Sequence, residues 1–192
     1  MLFQISAATV LLLFYGCYLY KMIMQKKTGI QTDQMGKGKD GSAKWIEMIM
    51  KTATYLVVAA EAVSIILNTS IFPTWLRAAG LVLAIAGLLF FTIAVYTMKD
   101  SWRAGVSHTD KTALVTSGIF QFSRNPAFLG FDLVYIGIVC MIFNVPLLVI
   151  STAAYLMLHL QIVNNEEPFL QETFGAEYFE YKNHVNRYLG RH

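Results

Sequence analysis

Two short polar motifs interrupt an otherwise apolar sequence, and both contain residue types that bind charged groups. Arg124-Asn125-Pro126 stands at the start of a long apolar stretch, and the acidic pair Glu166-Glu167 stands directly before Pro168. Arginine presents a planar fork that matches a carboxylate or phosphate, and a glutamate accepts strong hydrogen bonds from hydroxyl or ammonium groups. A structural explanation is also open for each motif: an arginine at a membrane interface before a helix-starting proline, and acids at a helix N-terminus.

Two further acids, Glu61 and Asp132, lie inside apolar stretches. An acidic side chain within a membrane is energetically costly and is therefore a candidate for function. The alternative is a structural hydrogen bond between helices, since polar side chains also join membrane helices to one another. The sequence leaves both explanations open.

The elements that must position these residues are predicted to be membrane helices. The chain has 192 residues, of which 56% are hydrophobic and 14% are charged, whereas a soluble domain has about 25% charged residues. Residues 2–20 and 78–98 contain no charged side chain, residues 52–76 contain only Glu61, and residues 125–165 contain only Asp132. Such runs indicate spanning helices rather than amphipathic ones.

The stretch 125–165 is too long for one span, which needs about 20 residues. It contains Asn144-Val145-Pro146, and proline disfavours helix at the residue before it. We therefore predict a helical hairpin, with one helix ending near Phe143 and the next beginning near Pro146. The predicted fold is an all-α integral membrane bundle of five transmembrane helices, formed by a single domain over residues 1–192. Residues 1–45 would supply the first span and a flexible loop rich in lysine and glycine.

The basic residues predict the orientation of this bundle. They concentrate in residues 21–44, in residues 99–124, and in the tail at Lys182, Arg187 and Arg191, and all three segments fall on one side of a five-span topology. The positive-inside rule makes that side cytoplasmic, so the N-terminus is predicted outside and the C-terminus inside. Attraction to anionic lipid headgroups explains the basic balance; we predict no nucleic-acid partner, and the dispersed histidines and cysteines predict no metal site.

The long cytoplasmic loop and the tail are predicted to be structured. Apolar residues such as Trp102 and Phe122 recur through the loop, which favours packing against the bundle or the interface. In the tail, Pro168 suits the first position of a helix and Gly175 suits its end. An amphipathic segment follows at residues 176–189.

Residues 112–128, together with Glu166-Glu167 and residues 174–181, resemble the isoprenylcysteine carboxyl methyltransferase family. More broadly they resemble the clan that this family shares with membrane phospholipid N-methyltransferases. The likeness covers roughly residues 95–190, which would form the catalytic region. It implies S-adenosylmethionine as the cofactor, bound without a Rossmann domain, and a lipophilic methyl acceptor that enters from the lipid bilayer.

The resemblance also implies site residues. Arg124 and Arg187 are the candidates for holding the acceptor as catalytic residues. The chain departs from the family pattern where Thr112 and Asn125 replace histidines and where Phe120 and Phe128 replace tyrosines, and Ile162 stands near the position of an arginine that is associated with the prenylcysteine. The implied cofactor-binding residues are Thr112, Leu114, Val115, Gly118, Phe120, Asn125, Pro126, Phe128, Glu166 and Glu167.

We therefore expect a membrane methyltransferase most like a protein-S-isoprenylcysteine carboxyl O-methyltransferase. Phospholipid N-methylation and small-thiol S-methylation on the same scaffold remain alternatives. An amine or thiol acceptor would need a base, for which Asp132, Glu61 and His159 are candidates. A small membrane scaffold or transporter is the alternative without catalysis.

Overall fold

The computed structural model describes residues 1–107 and 112–191, so that four residues of the predicted cytoplasmic loop, 108–111, lie outside the described part. The described residues form helices and two isolated β-bridges, without a strand. This agrees with the all-α prediction. The helices are α1 (Leu2–Lys27), α2 (Gly41–Leu67), α3 (Thr74–Met98), α4 (Pro126–Met141), α5 (Val145–Gln161) and α6 (Glu167–His184).

Four of these helices are long and apolar enough to cross a membrane: α1, α2, α3 and the continuous helix that begins with α5. Helix α4 is equally apolar but has only 16 residues, about 24 Å at 1.5 Å per residue, against a hydrocarbon core of about 30 Å. The protein is thus a multi-pass membrane protein.

The predicted hairpin between α4 and α5 is confirmed. Helix α4 ends at Met141 and α5 begins at Val145. The side-chain oxygen of Asn144 accepts a hydrogen bond from the backbone N–H of Leu147 at 2.9 Å, while its amide donates to Ser64 Oγ of α2 at 2.7 Å. One residue therefore caps α5 and fastens the hairpin to α2.

Contacts between sequence-distant residues define the two ends of the bundle. At one end, which we call the hairpin end, Asn144 lies against Ser64 and the Arg77 Nε donates to the carbonyl of Met141 at 2.8 Å. At the other, the loop end, Thr32 and Gln34 bond to Ala104, and the loop before α4 bonds to the tail, Arg124 to Asn186 and Phe122 to Gly190. The described parts of the segments that were predicted to share one side of the membrane therefore lie at the same end of the bundle.

Helices α3 and α4 pack with their backbones in close contact because glycines face each other across the interface. A methyl group added at Gly87 would lie 2.6 Å from the carbonyl oxygen of Gly130, and one at Gly137 would lie 2.6 Å from the carbonyl oxygen of Gly80. Small residues permit this approach between membrane helices. The contact fixes the N-terminus of α4, where the Arg124 motif lies, relative to the end of α3.

Residues 28–40 differ from the flexible loop that composition predicted. The backbone N–H of Gln34 donates to the carbonyl of Ala104 at 2.8 Å, and that of Ala104 donates to the carbonyl of Thr32 at 2.9 Å. Lys39 is buried in spite of its charge. This loop therefore has defined contacts with residues 102–106. Composition does not reveal which of its polar side chains are buried against the bundle.

The C-terminal segment is helical beyond the membrane, as predicted. Helix α5 passes through a π-helical turn, Ile162–Glu166, directly into α6. Gly175 breaks α6 with a φ of 50°, a conformation that glycine adopts readily. Val185 then pairs with Arg191 in a β-bridge, so the tail folds back on the loop end.

Candidate functional site

A cavity of about 130 Å³ at the loop end contains most of the predicted cofactor residues. Its walls come from the end of α3, the following loop, the first turn of α4, the π-helical turn and the first turns of α6. The predicted residues that line it are Thr112, Leu114, Val115, Phe120, Arg124, Asn125, Pro126, Phe128 and Glu166.

Three predicted residues do not line this cavity: Gly118, Glu167 and Arg187. Gly118 has a φ of +63° and begins a short 3-10 turn that ends at Gln121. The turn buries Phe120, whose carbonyl accepts a hydrogen bond from the Tyr181 hydroxyl at 2.6 Å. Gly118 thus acts on the cavity through the backbone conformation that it permits.

Glu167 is the centre of a charged cluster behind the cavity wall. Its carboxylate accepts two hydrogen bonds from Arg187, at 2.8 and 3.0 Å, and lies 3.1 Å from Arg124 Nη2 and 3.9 Å from Lys182 Nζ. Burial alone would raise the pKa of Glu167, but the hydrogen bond from Arg187 and the charges of Arg124, Arg187 and Lys182 lower it below the usual value. Glu167 is therefore an ionised structural centre, with three cations around one anion.

Arg124 connects this cluster to the cavity. Its Nη1 donates to the Tyr178 hydroxyl at 2.8 Å, and only 7% of its side chain is exposed. Its Nε is buried and donates to no atom of residues 1–107 or 112–191. A buried donor without an acceptor is unfavourable, and Arg124 is also one of the residues that line the cavity.

Asn125 and Pro126 have local structural roles as well as positions in the wall. Pro126 is the first residue of α4, a position where a backbone N–H would have no acceptor within the helix. The Asn125 amide donates to the carbonyl of Arg187 at 3.1 Å. The backbone N–H of Arg124 donates to the carbonyl of Asn186 at 3.1 Å. Both bonds hold the tail against the start of α4.

Glu166, in contrast to its neighbour, faces the cavity and has no cation bonded to it among the described residues. It accepts a hydrogen bond from Gln161 Nε2 at 3.2 Å. Burial raises the pKa of Glu166 to about 7; the Gln161 hydrogen bond lowers it, while the nearby Glu47 and Lys39 act in opposite directions. The adjacent acids, indistinguishable by sequence, thus have different environments.

A second, apolar cavity of about 340 Å³ lies inside the bundle. Tyr15 and Tyr18 of α1, Met50 and Val58 of α2, and Phe131 of α4 contribute to its walls. Its walls also include Trp102, Arg103, Gly105, Ala127 and Phe128, which line the first cavity as well. The two cavities therefore adjoin through these shared residues, which we call the shared wall. We call the first one the polar cavity because the charged residues Arg124 and Glu166 line it, although most of its wall is apolar, and the second the apolar cavity.

The three alternative bases do not line either cavity. Glu61 is fully buried, and neither of its oxygens has a hydrogen-bond partner among the described residues. Asp132 is 5% exposed. The Nδ1 of His159 lies 2.6 Å from the Tyr188 hydroxyl, in the tail.

Several cavity residues were not predicted. Trp102 and Phe169 line the polar cavity, and Tyr15 and Tyr18 line the apolar one. The apolar residues of the loop were a sequence signal for Trp102, because a solvated loop has no need of them. Nothing in the composition of α1 distinguishes Tyr15 and Tyr18 from residues that face lipid.

Comparison with known proteins gives consistent matches. The sequence model described as phospholipid methyltransferase matches residues 75–177, more than half of the chain. Protein-S-isoprenylcysteine O-methyltransferases are similar as well: that of Saccharomyces cerevisiae is 37% identical over 112 residues (55% of this chain and 45% of the relative), and that of Xenopus laevis is 29% identical over 137 residues (68% and 48%). That of Homo sapiens is 31% identical over 115 residues (58% and 40%).

The chain thus spans about half the length, or less, of these curated relatives. The matched region starts at the beginning of α3 and ends within α6. It therefore contains the glycine contact, most residues of the polar cavity, Arg124 and Glu167. Lys182 and Arg187 of the Glu167 cluster, and helices α1 and α2, lie outside the family match. The resemblance expected from the motifs is confirmed.

Proposed function

Since the chain belongs to the phospholipid methyltransferase family, we propose that it is an S-adenosylmethionine-dependent membrane methyltransferase that acts on a lipophilic acceptor. The observation that carries this proposal is the shared wall of the two cavities. Trp102, Ala127 and Phe128 line both the cavity that contains Arg124 and Glu166 and the larger apolar cavity. A polar methyl donor and a lipophilic acceptor require such adjoining sites.

The residues of the polar cavity fit the donor. Glu166 offers a carboxylate to the ribose hydroxyls or to the ammonium group, and the free Nε of Arg124 offers a donor to the carboxylate. The aromatic faces of Phe120, Phe128 and Trp102 would stabilise a sulfonium cation by cation–π contacts, each by about 0.5–2 kcal/mol. When bound, S-adenosylmethionine supplies an electrophilic methyl group.

The protein's part in the reaction is alignment and exclusion of water. Methyl transfer to a carboxylate needs no base, and holding donor and acceptor in line contributes up to about 7–11 kcal/mol. The position of Phe128 in both cavity walls makes this aromatic side chain the neighbour of the transferred group in our scheme. Arg124, which lines the polar cavity only, orients the donor's carboxylate or an anionic acceptor group that reaches into that cavity.

Arg187 contributes indirectly in this scheme. Its fork is bonded to both oxygens of Glu167, and Glu167 in turn pairs with Arg124. We therefore assign Arg187 and Glu167 the role of fixing Arg124. The direct contacts predicted from the sequence, of Arg187 with the acceptor and of Glu167 with the cofactor, remain proposals.

The proposed acceptor is the carboxylate of a prenylated cysteine. The names of the relatives support it, as does the apolar lining of the larger cavity. The acceptor would enter from the bilayer between α1 and α2, which supply much of that lining. An amine headgroup is the second candidate, since the family description names phospholipids.

We further propose that α4 is a fifth span, shortened by its tight contact with α3, and that the loop end faces the cytoplasm. The lysines of residues 21–44 and the basic tail support this orientation. The N-terminus would then be outside and the C-terminus cytoplasmic. The polar cavity would be open to the compartment in which the cofactor is made.

The test is methyl transfer by the purified protein in lipid nanodiscs. Tritiated S-adenosylmethionine is supplied with a farnesylcysteine analogue, phosphatidylethanolamine or an alkyl thiol. Base-labile label on the farnesylcysteine would support the carboxylate acceptor, and base-stable label on the lipid would support the amine. Arg124→Lys should lose most turnover with the anionic acceptor because lysine lacks the fork. A protein that binds no cofactor and labels none of the three acceptors would refute the proposal.

A further inference from the structure

Glu47, near the start of α2, is fully buried and connects three parts of the loop end. Its Oε1 lies 2.5 Å from Lys39 Nζ, its Oε2 accepts the backbone N–H of Gly36 at 2.7 Å, and its Oε1 accepts the backbone N–H of Val106 at 3.2 Å. Val106 lines the polar cavity. One carboxylate thus joins the first loop to the cavity wall.

Glu47 also reaches the cavity carboxylate through one amide. Gln161 Nε2 donates to Glu47 Oε1 at 3.1 Å and to Glu166 Oε1 at 3.2 Å. The Gln161 oxygen accepts from Asn165 Nδ2 at 2.7 Å, and the same Asn165 nitrogen donates to the carbonyl of Ala43 at 3.1 Å. Gln161 is fully buried. Its amide nitrogen bonds to Glu47, and its amide oxygen bonds to Asn165, which in turn bonds to Ala43. Glu47 and Ala43 both lie in the first turns of α2.

We infer that Glu47, paired with Lys39, is a positioning residue for the cofactor site, acting through Gln161 on Glu166. The inference rests on the proposed function, and it extends the site into residues 36–47, which lie outside the family match at residues 75–177. Lys39 has a defined part in this arrangement. It neutralises Glu47, so that Gln161 bridges an ion pair and a carboxylate rather than two repelling carboxylates.

A merely structural salt bridge is the alternative, and the chain offers a matched control for it. Lys51, one turn after Glu47, pairs with Asp33 of the same loop at 2.5 Å, with 24% and 31% of the two side chains exposed. This pair also joins α2 to the loop. Among the described residues, this pair forms no hydrogen bond with Gln161 or Glu166, so Lys51→Met removes a loop contact without disturbing the amide bridge.

The experiment measures the affinity of S-adenosylhomocysteine by calorimetry in detergent, together with KM and kcat for the donor. Glu47→Gln should weaken binding and raise KM by about tenfold, the effect of losing one charged hydrogen bond, while kcat stays within about twofold. Lys39→Met should change affinity in the same direction. Lys51→Met should bind as the wild type does, within about twofold, since its pair is separate from the bridge.

A double-mutant cycle separates positioning from simple destabilisation. If Glu47 acts through Glu166, Glu47→Gln should change the affinity by less than about twofold in a Glu166→Gln background. Equal effects in both backgrounds, or wild-type affinity of folded Glu47→Gln, would overturn the inference. If Glu47→Gln does not fold, wild-type affinity in Lys39→Met overturns it. A wild-type protein that does not bind the ligand would instead refute the proposed function, and the inference with it.

Discussion

At the scale of single residues, the two acids of the adjacent pair have different surroundings. The sequence predicted that both Glu166 and Glu167 bind the cofactor. In the structure Glu166 lines the polar cavity, whereas Glu167 lies behind it with Arg124, Arg187 and Lys182. The side-chain directions at the junction of the π-helical turn and α6 cause this division, and such a turn has no signature in the composition of the pair.

Glu166→Gln should remove a pH dependence of cofactor binding. The pKa of Glu166 is raised to about 7, so below pH 7 the free protein holds it protonated. A ligand that needs the carboxylate must displace this proton, and its affinity should fall by up to about tenfold per pH unit below 7. Calorimetry between pH 5.5 and about 8.5 checks this, with Glu166→Gln expected to bind weakly and evenly across the range. If the cofactor affinity depended on pH equally in the wild type and in Glu166→Gln, the role of Glu166 in this dependence would be contradicted.

Glu167→Gln should instead destabilise the fold. It removes the anion from a cluster in which Arg124 is almost fully buried, and breaking a buried pair costs on the order of 3 kcal/mol. Because the pKa of Glu167 is lowered, the stabilisation is present above the usual carboxyl pKa and is lost as the pH falls through the shifted one. Thermal melting in detergent at neutral pH measures the loss. A melting temperature equal to that of Glu166→Gln would contradict the division of roles.

At the scale of helices, the sequence predicted the elements well and their packing poorly. Charge-free runs located the helices, and Asn144-Val145-Pro146 located the hairpin, because proline and a capping asparagine act locally. The contact of α3 with α4 depends on glycines seven residues apart in each helix, at Gly80 and Gly87 and at Gly130 and Gly137. Their partners lie some 50 residues away in the chain, so the pairing is not visible locally.

Gly87→Ala should destabilise the bundle, because its new methyl group would lie 2.6 Å from the carbonyl oxygen of Gly130. Overpacking of this kind costs about 1–3 kcal/mol. Gly16→Ala in α1 is the matched control, since no atom lies within 4 Å of its added methyl group. The melting temperature should fall for Gly87→Ala and stay the same or rise for Gly16→Ala. Similar values for the two variants would exclude the close helix contact.

At the scale of the whole molecule, the described residues of the three segments that were predicted to be cytoplasmic lie at the loop end. The sequence placed these segments on one side by charge. It did not foresee that residues 28–40 pack against residues 102–106, or that α1 and α2 line the apolar cavity. The first is a contact between two loops that are distant in the sequence. The second depends on helices whose surfaces are apolar all round, so that hydrophobic periodicity does not indicate which face is buried.

Labelling of single cysteines tests the topology. In a protein without Cys17 and Cys140, Lys37→Cys at the loop end and Ile71→Cys at the hairpin end are both at exposed positions. An impermeant maleimide added to intact cells should label only the cysteine at 71, and inverted vesicles should reverse the result. Labelling of both from the same side would refute the proposed crossing of the membrane.

The most direct test of the central claim concerns the wall between the two cavities, where Ala127 lines both. The measurement is the initial rate of methyl transfer by Ala127→Leu at saturating cofactor, with Ala153→Leu on the exposed face of α5 as the control. The larger side chain should obstruct alignment and lower the rate by about a hundredfold, since small misplacements have effects of this size. The rate of the control should stay near wild type. A rate for Ala127→Leu equal to that of Ala153→Leu, on the true acceptor, would contradict the account of a donor and an acceptor that meet at this wall.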